Sequence, residues 1–223
     1  RKLCPSPGRC IACGRCAAHC PAGKRKIAGQ YVDAKELAVR LLRDREFLAC
    51  SGGGVTFSGG EPLAQPEFLF ALSDHLRGIH QVVETSGFAP EEVYREMLRK
   101  IDLIYQDLKC ADPERHRELT GQDNRPVLRN LELLKASGKP FVIRIPVIPS
   151  CNADEANLAA CAELVRGAKQ LRRVELLPYN PAAPSKYRSV GREFPLRPEE
   201  FPEVHYRSLE AVFRSRGLPC AVL

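Results

Sequence analysis

No acidic residue occurs among the first 30 positions of this 223-residue chain, although that stretch holds Arg1, Lys2, Arg9, Arg15, Lys24, Arg25 and Lys26. The remainder carries equal numbers of acidic and basic residues, so the whole net charge of +7 sits on one terminal segment. Such an asymmetry points to an anionic ligand or partner there. Long apolar runs are missing as well. The longest charge-free stretch, residues 47–60, has 14 residues, five of them glycine, which is too short and too flexible to span a membrane. No secretory or lipidation signal is visible, so a cytoplasmic location without membrane attachment is expected. Histidine is scarce: His19, His75, His80, His116 and His205 are scattered and read as surface or packing residues. Nothing resembles a Ser-His-Asp arrangement. Basic and aromatic residues are not interleaved, which argues against a nucleic-acid surface. The only methionine is Met97 and the chain opens on Arg1, so the natural protein is expected to start upstream.

What is present is ordinary for a folded protein: 44% hydrophobic and 27% charged residues. The length suits one sizeable core, or a core plus a small module. Residues 1–30 are rich in Cys, Gly and Lys/Arg and show no hydrophobic periodicity, so they need a staple such as a metal. From residue 31 the pattern alternates, giving a division into 1–30 and 31–223. Helices are expected over 33–48, 66–76, 90–99, 126–137, 153–169 and 198–216, and strands over 55–57, 81–85, 103–108, 141–148 and 174–178. Five strands alternating with helices make an α/β chain with a parallel sheet, whose ligand chemistry collects at the C-terminal strand ends.

Cys10, Cys13, Cys16 and Cys20 follow the spacing C-x2-C-x2-C-x3-C, and Pro21 comes next. This is the bacterial ferredoxin run, in which three thiolates on a tight loop hold one iron–sulfur cube and the fourth reaches toward another. A zinc ribbon needs a second C-x2-C pair about 15–20 residues away, and none exists. A disulfide knot does not suit so tight a cluster in an α/β chain. The segment therefore reads as a 4Fe–4S site. Cys4 is open as an extra ligand or a spare thiol. Cys50, Cys110, Cys151, Cys161 and Cys220 are isolated and read as structural.

Ser58-Gly59-Gly60-Glu61-Pro62 follows the first expected strand. Two glycines let the backbone approach a ligand closely, and exposed N–H and C=O groups there suit a small zwitterion. The turn is no P-loop, because Gly60 stands where Lys is required. It is no dinucleotide fingerprint either, because Phe57 replaces the third glycine. Asp107 and Lys109 offer one anion and one cation on the same strand face, as an α-amino acid requires.

With the ferredoxin run, five further segments carry a resemblance: 55–62 (VTFSGGEP), 83–87 (VETSG), 105–109 (YQDLK), 143–149 (IRIPVIP) and 176–180 (LLPYN). Each closes an expected strand. Together they resemble the radical S-adenosylmethionine superfamily, and more narrowly the glycyl-radical-enzyme activating enzymes, the family of the pyruvate formate-lyase activating enzyme. The resemblance implies a partial (β/α)6 TIM-like barrel, lacking its first strand here, with a ferredoxin-like segment in front. It implies that Gly59, Gly60 and Glu61 hold the amino group of S-adenosylmethionine, and that Asp107, Leu108 and Lys109 lie near its amino and carboxylate groups. Thr85 and Ser86 would line the same pocket. Arg144 would reach the carboxylate or ribose, and Asn180 the adenosine. Glu84 stands where some relatives carry the Asp of a monovalent-cation site.

The implied activity is reductive cleavage of S-adenosylmethionine, followed by removal of hydrogen from a backbone glycine of a glycyl-radical enzyme. Flavodoxin or ferredoxin would be the electron donor and the chain a monomer. The family's C-x3-C-x2-C, which binds the catalytic cluster, is absent from these residues and is expected upstream of Arg1, so residues 1–223 taken alone are expected to be an inactive fragment. Two other readings are a different radical S-adenosylmethionine modifier and an iron–sulfur electron-transfer module.

Overall fold

The computed structural model describes residues 11, 13–25, 27, 29–189, 193–194 and 203–223. In chain order these form α1 (Arg15–Ala18), α2 (Ala34–Leu41), α3 (Arg45–Ser51) and β1 (Gly54–Phe57). Then come α4 (Pro66–His75), β2 (His80–Thr85), α5 (Glu91–Lys100) and β3 (Leu103–Asp107). The middle of the chain holds α6 (Pro113–Thr120), α7 (Arg125–Ala136), β4 (Phe141–Val147) and α8 (Glu155–Val165). β5 (Leu171–Pro178), α9 (Ala183–Ser189), α10 (Glu203–Arg214) and β6 (Cys220–Val222) complete it. The chain divides into two compact units, Arg1–Asp33 with Asn180–Arg197, and Ala34–Tyr179 with Pro198–Leu223.

In the larger unit the strands make one sheet in the order β1-β2-β3-β4-β5-β6, and every neighbouring pair is parallel. This is the α/β architecture of a partial TIM-like barrel. One face of the sheet is apolar: Val83, Ile104, Ile143, Ile145, Val174 and Leu176 are wholly buried. They pack with helix residues such as Leu72, Met97, Leu131 and Leu158 in a single core. Burying side chains of this size stabilises by about 1.5–3 kcal/mol each. The alternate residues, among them Glu84, Tyr105, Asp107, Arg144 and Glu175, lie on the other face by the two-residue period of a strand.

The strands stop where turn chemistry intervenes. Pro66 opens α4, Asp112 caps α6 by accepting from the Arg115 N–H, and Asp154 caps α8 by accepting from the Asn157 N–H. Gly121 ends α6 at φ 75°, a left-handed position that suits glycine.

The described elements differ from the expected ones at several places, including two short helices that were not expected, α1 and α9. The helix expected over 33–48 is broken: a 3-10 turn at Leu42–Asp44 separates α2 from α3, and α3 runs on to Ser51. The sheet has a sixth strand among the described residues, β6, whose three residues are too short to show a pattern. α6 was also not expected, because its only buried residue is His116 and its apolar periodicity is nil. Of the helix expected over 198–216, residues 198–202 lie outside the described residues.

β1 lies against β2 with Gly54 in register with His80. A Cβ on Gly54 would fall 2.1 Å from the His80 carbonyl oxygen, a backbone atom that cannot swing away. Gly54→Ala is expected to destabilise the fold by about 2–3 kcal/mol. Urea unfolding followed by circular dichroism checks this, and a midpoint equal to that of the parent chain would contradict it.

Candidate functional site

The site begins where β1 ends. Glu61 is clamped by four hydrogen bonds: Oε1 accepts from the Leu63 N–H (3.1 Å) and Thr85 Oγ1 (2.7 Å), and Oε2 from the Ser86 N–H (2.8 Å) and Ser86 Oγ (2.5 Å). A carboxylate has about four acceptor positions, so this one is filled. It caps the one-turn helix Pro62–Ala64 and ties the turn after β1 to the end of β2. The side chain of Glu61 therefore shapes the turn, leaving the backbone of Gly59 and Gly60 to face outward. Gly59 has φ 119°, which favours glycine. Gly60 has no such φ, and a Cβ there would meet nothing within 4 Å among the described residues. Among the described residues no contact explains the glycine at position 60.

β3 supplies the charges. Lys109 Nζ stands 3.0 Å from Asp107 Oδ2, with both side chains about one-third exposed. Leu108 between them is buried, and its N–H donates to the Arg144 carbonyl at 2.8 Å. Asn152 fixes the run from behind: its Nδ2 donates to the Lys109 carbonyl (2.8 Å) and the Pro146 carbonyl (2.7 Å). Glu61, Ser86, Asp107 and Lys109 together line a cavity of about 350 Å³. That is within the range of small-molecule sites. Thr85 is buried beneath it, donating to Glu61 and accepting from the Gly87 N–H.

Arg144 is engaged on the polar sheet face. Its Nη1 donates to Glu84 Oε1 (2.6 Å), its Nε donates to Glu175 Oε2 (2.8 Å), and its guanidinium lies 4.2 Å from the centre of the Tyr105 ring. Arg173 closes the far side of Glu175. Ser58 Oγ donates to Glu84 Oε2 at 2.9 Å, so the network reaches the glycine turn. Burial raises the Glu84 carboxyl, but hydrogen bonds from Arg144 and Ser58 outweigh it and hold the group below its ordinary 4.5. The structure thus places Arg144 against carboxylates of its own chain.

Asn180 lies in the other unit, where its Oδ1 accepts from the Ala182 N–H. That unit also holds Cys13, Cys16 and Cys20 as free thiols; Cys10 lies outside the described residues. The Lys24 backbone N–H, with those of Ala22 and Arg25 and against desolvation, lowers the Cys20 thiol from its ordinary value. A thiolate ligand fits that position. Gly14, at φ 73°, turns the chain into α1 within the run. Among the described residues no three His, Cys, Asp or Glu side chains converge to hold a metal ion. Burial pushes the Cys161 and Cys220 thiols up to about 12, which makes them inert. No helix of the described residues is long and apolar enough to cross a membrane.

Ala64, Phe88, His116, Thr120, Gln122 and Val127 also line this cavity and carried no site signal in the sequence. His116, read there as surface or packing, is 6% exposed and lines the same cavity. Its signal was weak, since α6 lacks the periodicity that would have placed it.

Comparison with known proteins accords with this geometry. The Radical SAM superfamily model matches residues 7–161. The chain is 36% identical to the benzylsuccinate synthase activating enzyme of Thauera aromatica, over 97% of this chain and 78% of that protein. It is 37% identical to the isethionate sulfite-lyase activating enzyme of Nitratidesulfovibrio vulgaris, over 88% of this chain and 65% of that protein, just under two thirds of its length. Among solved structures, a domain of a pyruvate-formate lyase-activating enzyme from Bacteroides vulgatus superposes with a TM-score of 0.65 at 30% identity, covering 77% of this chain and 99% of that one.

The Glu84 network has a pH signature. A carboxylate held below its ordinary value contributes stability above that value and loses it as pH falls through the folded-state value. Glu84→Gln is expected to cost about 1 kcal/mol at pH 7, the exposed part of the pair being screened. The gap between parent and variant should shrink below pH 4.5. Denaturant unfolding at a series of pH values measures it, and a gap unchanged down to pH 3 would contradict the assignment.

Proposed function

The chain belongs to the Radical SAM superfamily and, within it, to the activating enzymes of glycyl-radical enzymes, and we propose that the strand-end cavity is its S-adenosylmethionine site. The observation that carries this is the Asp107–Lys109 pair, opening on a cavity beside a glycine turn whose second glycine no contact among the described residues requires. A methionine moiety presents an ammonium and a carboxylate on one carbon. Asp107 takes the first and Lys109 the second, while the backbone at Gly59 and Gly60 lies against the amino end. Ser86 and Thr85, locked by Glu61, keep that end in place.

Enzymes of this family use a 4Fe–4S cluster together with S-adenosylmethionine, which when bound supply a 5′-deoxyadenosyl radical. This chain's own part is to bind the methionine end, fix its direction and shield it on one side by β2 and β3. The partner is a glycyl-radical enzyme whose backbone glycine gives up the hydrogen. Cys13, Cys16 and Cys20, with Cys10, are read as the ligands of an additional cluster. The uncompensated basic residues around that run suit docking of an acidic electron donor such as flavodoxin or ferredoxin.

The test is S-adenosylmethionine binding by the anaerobically purified enzyme, measured by isothermal titration. Asp107→Asn and Lys109→Met each remove one charge-assisted contact, expected to weaken binding about 10- to 100-fold. Gly60→Ala is expected to weaken binding while leaving unfolding within about 0.5 kcal/mol of the parent. Full affinity in all three variants would refute the site.

A further inference from the structure

The cavity has a wall that the methionine moiety does not use, and His116 stands in it. The ring is held firmly. Its Nδ1 lies 2.8 Å from the Gln122 carbonyl, which can only accept, so Nδ1 carries the hydrogen. Thr120 Oγ1 sits 3.2 Å from the same nitrogen; it donates to the His116 carbonyl and accepts from the Gln122 N–H. In the neutral ring Nε2 is then a bare acceptor, and it has no hydrogen-bond partner among the described residues. It is not sealed in either. Among the described residues the buried polar side-chain atoms lacking partners are Gln81 Oε1, Asn124 Oδ1 and Asn130 Oδ1, and His116 Nε2 is not one of them. His116, nine-tenths buried and lining the cavity, thus keeps one oriented acceptor free among the described residues.

The neighbours decide what it accepts. Asp107 lines the same cavity, and an ammonium group goes to a carboxylate before a neutral imidazole, because charge-assisted bonds are about twice as strong. Phe88, Ala64 and Val127 add apolar lining, and Thr120 and Gln122 neutral polar lining, to the same cavity. A neutral N–H donor flanked by apolar surface describes a peptide backbone. Resting on the functional reading above, we propose that His116 Nε2 accepts a hydrogen bond from a backbone amide of the partner's glycine-bearing segment and positions it for reaction.

The test uses the anaerobically purified enzyme and N-acetyl-alanyl-glycyl-alanine amide, deuterated at the glycine α-carbon. With S-adenosylmethionine as co-substrate and dithionite as the one-electron reductant, transfer of deuterium into 5′-deoxyadenosine gives KM and kcat, and S-adenosylmethionine affinity is measured alongside. His116→Phe should raise the peptide KM at least tenfold, leaving kcat within threefold and S-adenosylmethionine affinity within twofold. His116→Gln, which restores an acceptor, should recover most of the KM. Independently of turnover, the Nε2 nitrogen resonance of His116 in the parent enzyme should shift on peptide addition while Nδ1 keeps its hydrogen. The assignment is overturned if S-adenosylmethionine affinity falls as far as peptide KM rises, since the donor is then the ammonium. Equal losses in both variants with a lowered melting temperature would make the role structural and also overturn it, as would no change at all. A parent enzyme that binds no S-adenosylmethionine would instead bring down the functional reading itself.

Discussion

The guanidinium of Arg144 is the point on which the polar side of the sheet depends. A parallel sheet is covered by helices on one face, and here that face is apolar and closed. The opposite face carries ionisable groups from adjacent strands, which would repel or remain unpaired without a common partner. Arg144 on β4 meets Glu84 of β2, Tyr105 of β3 and Glu175 of β5, so one side chain ties four strands. Removing Arg144 would take the shared partner from both Glu84 and Glu175, a larger loss than removing Glu84 alone.

From there the order propagates outward to the chemistry. Glu84 accepts from Ser58, Ser58 begins the glycine turn, and the turn ends at Glu61, whose carboxylate is filled by β2 and its own helix. Asp107 is the register neighbour of Arg144 on β3. Fixed groups hold the walls while the two charges that line the cavity, Asp107 and Lys109, stay loose. The Asp107–Lys109 pair is about one-third exposed, and exposed pairs are worth only about 0–1 kcal/mol. A zwitterion can separate the two and take one partner each at little cost. This contrast between a tight network behind and a weak pair in front is what a preorganised binding site requires.

Much of this was legible in the sequence, for identifiable reasons. Five of the strands read clearly because their apolar runs are short and bounded by glycine and proline, and strand-end position then singled out Gly59, Asp107 and Lys109 as site candidates. Side-chain allegiance was less visible. Nothing in the spacing of Glu61 says that its carboxylate is spent on Thr85 and Ser86, or that Arg144 answers Glu84 and Glu175, because those contacts join residues 24 to 60 positions apart. His116 was lost for a different reason: α6 owes its existence to an Asp112 cap and a terminal glycine rather than to an apolar stripe. Asn152 and its three hydrogen bonds behind Lys109 were unread for the same want of a periodic signal.

The central claim is that this site recognises a zwitterion. The most direct measurement is calorimetric titration of the anaerobic enzyme with S-adenosylmethionine and, in parallel, with 5′-methylthioadenosine, which has the nucleoside and sulfur but neither the ammonium nor the carboxylate. Two lost charge-assisted contacts at about 1.5–3 kcal/mol each should weaken the second ligand by at least 100-fold. Comparable affinity for the two ligands would show that Asp107 and Lys109 do not select the methionine end, and would contradict the account.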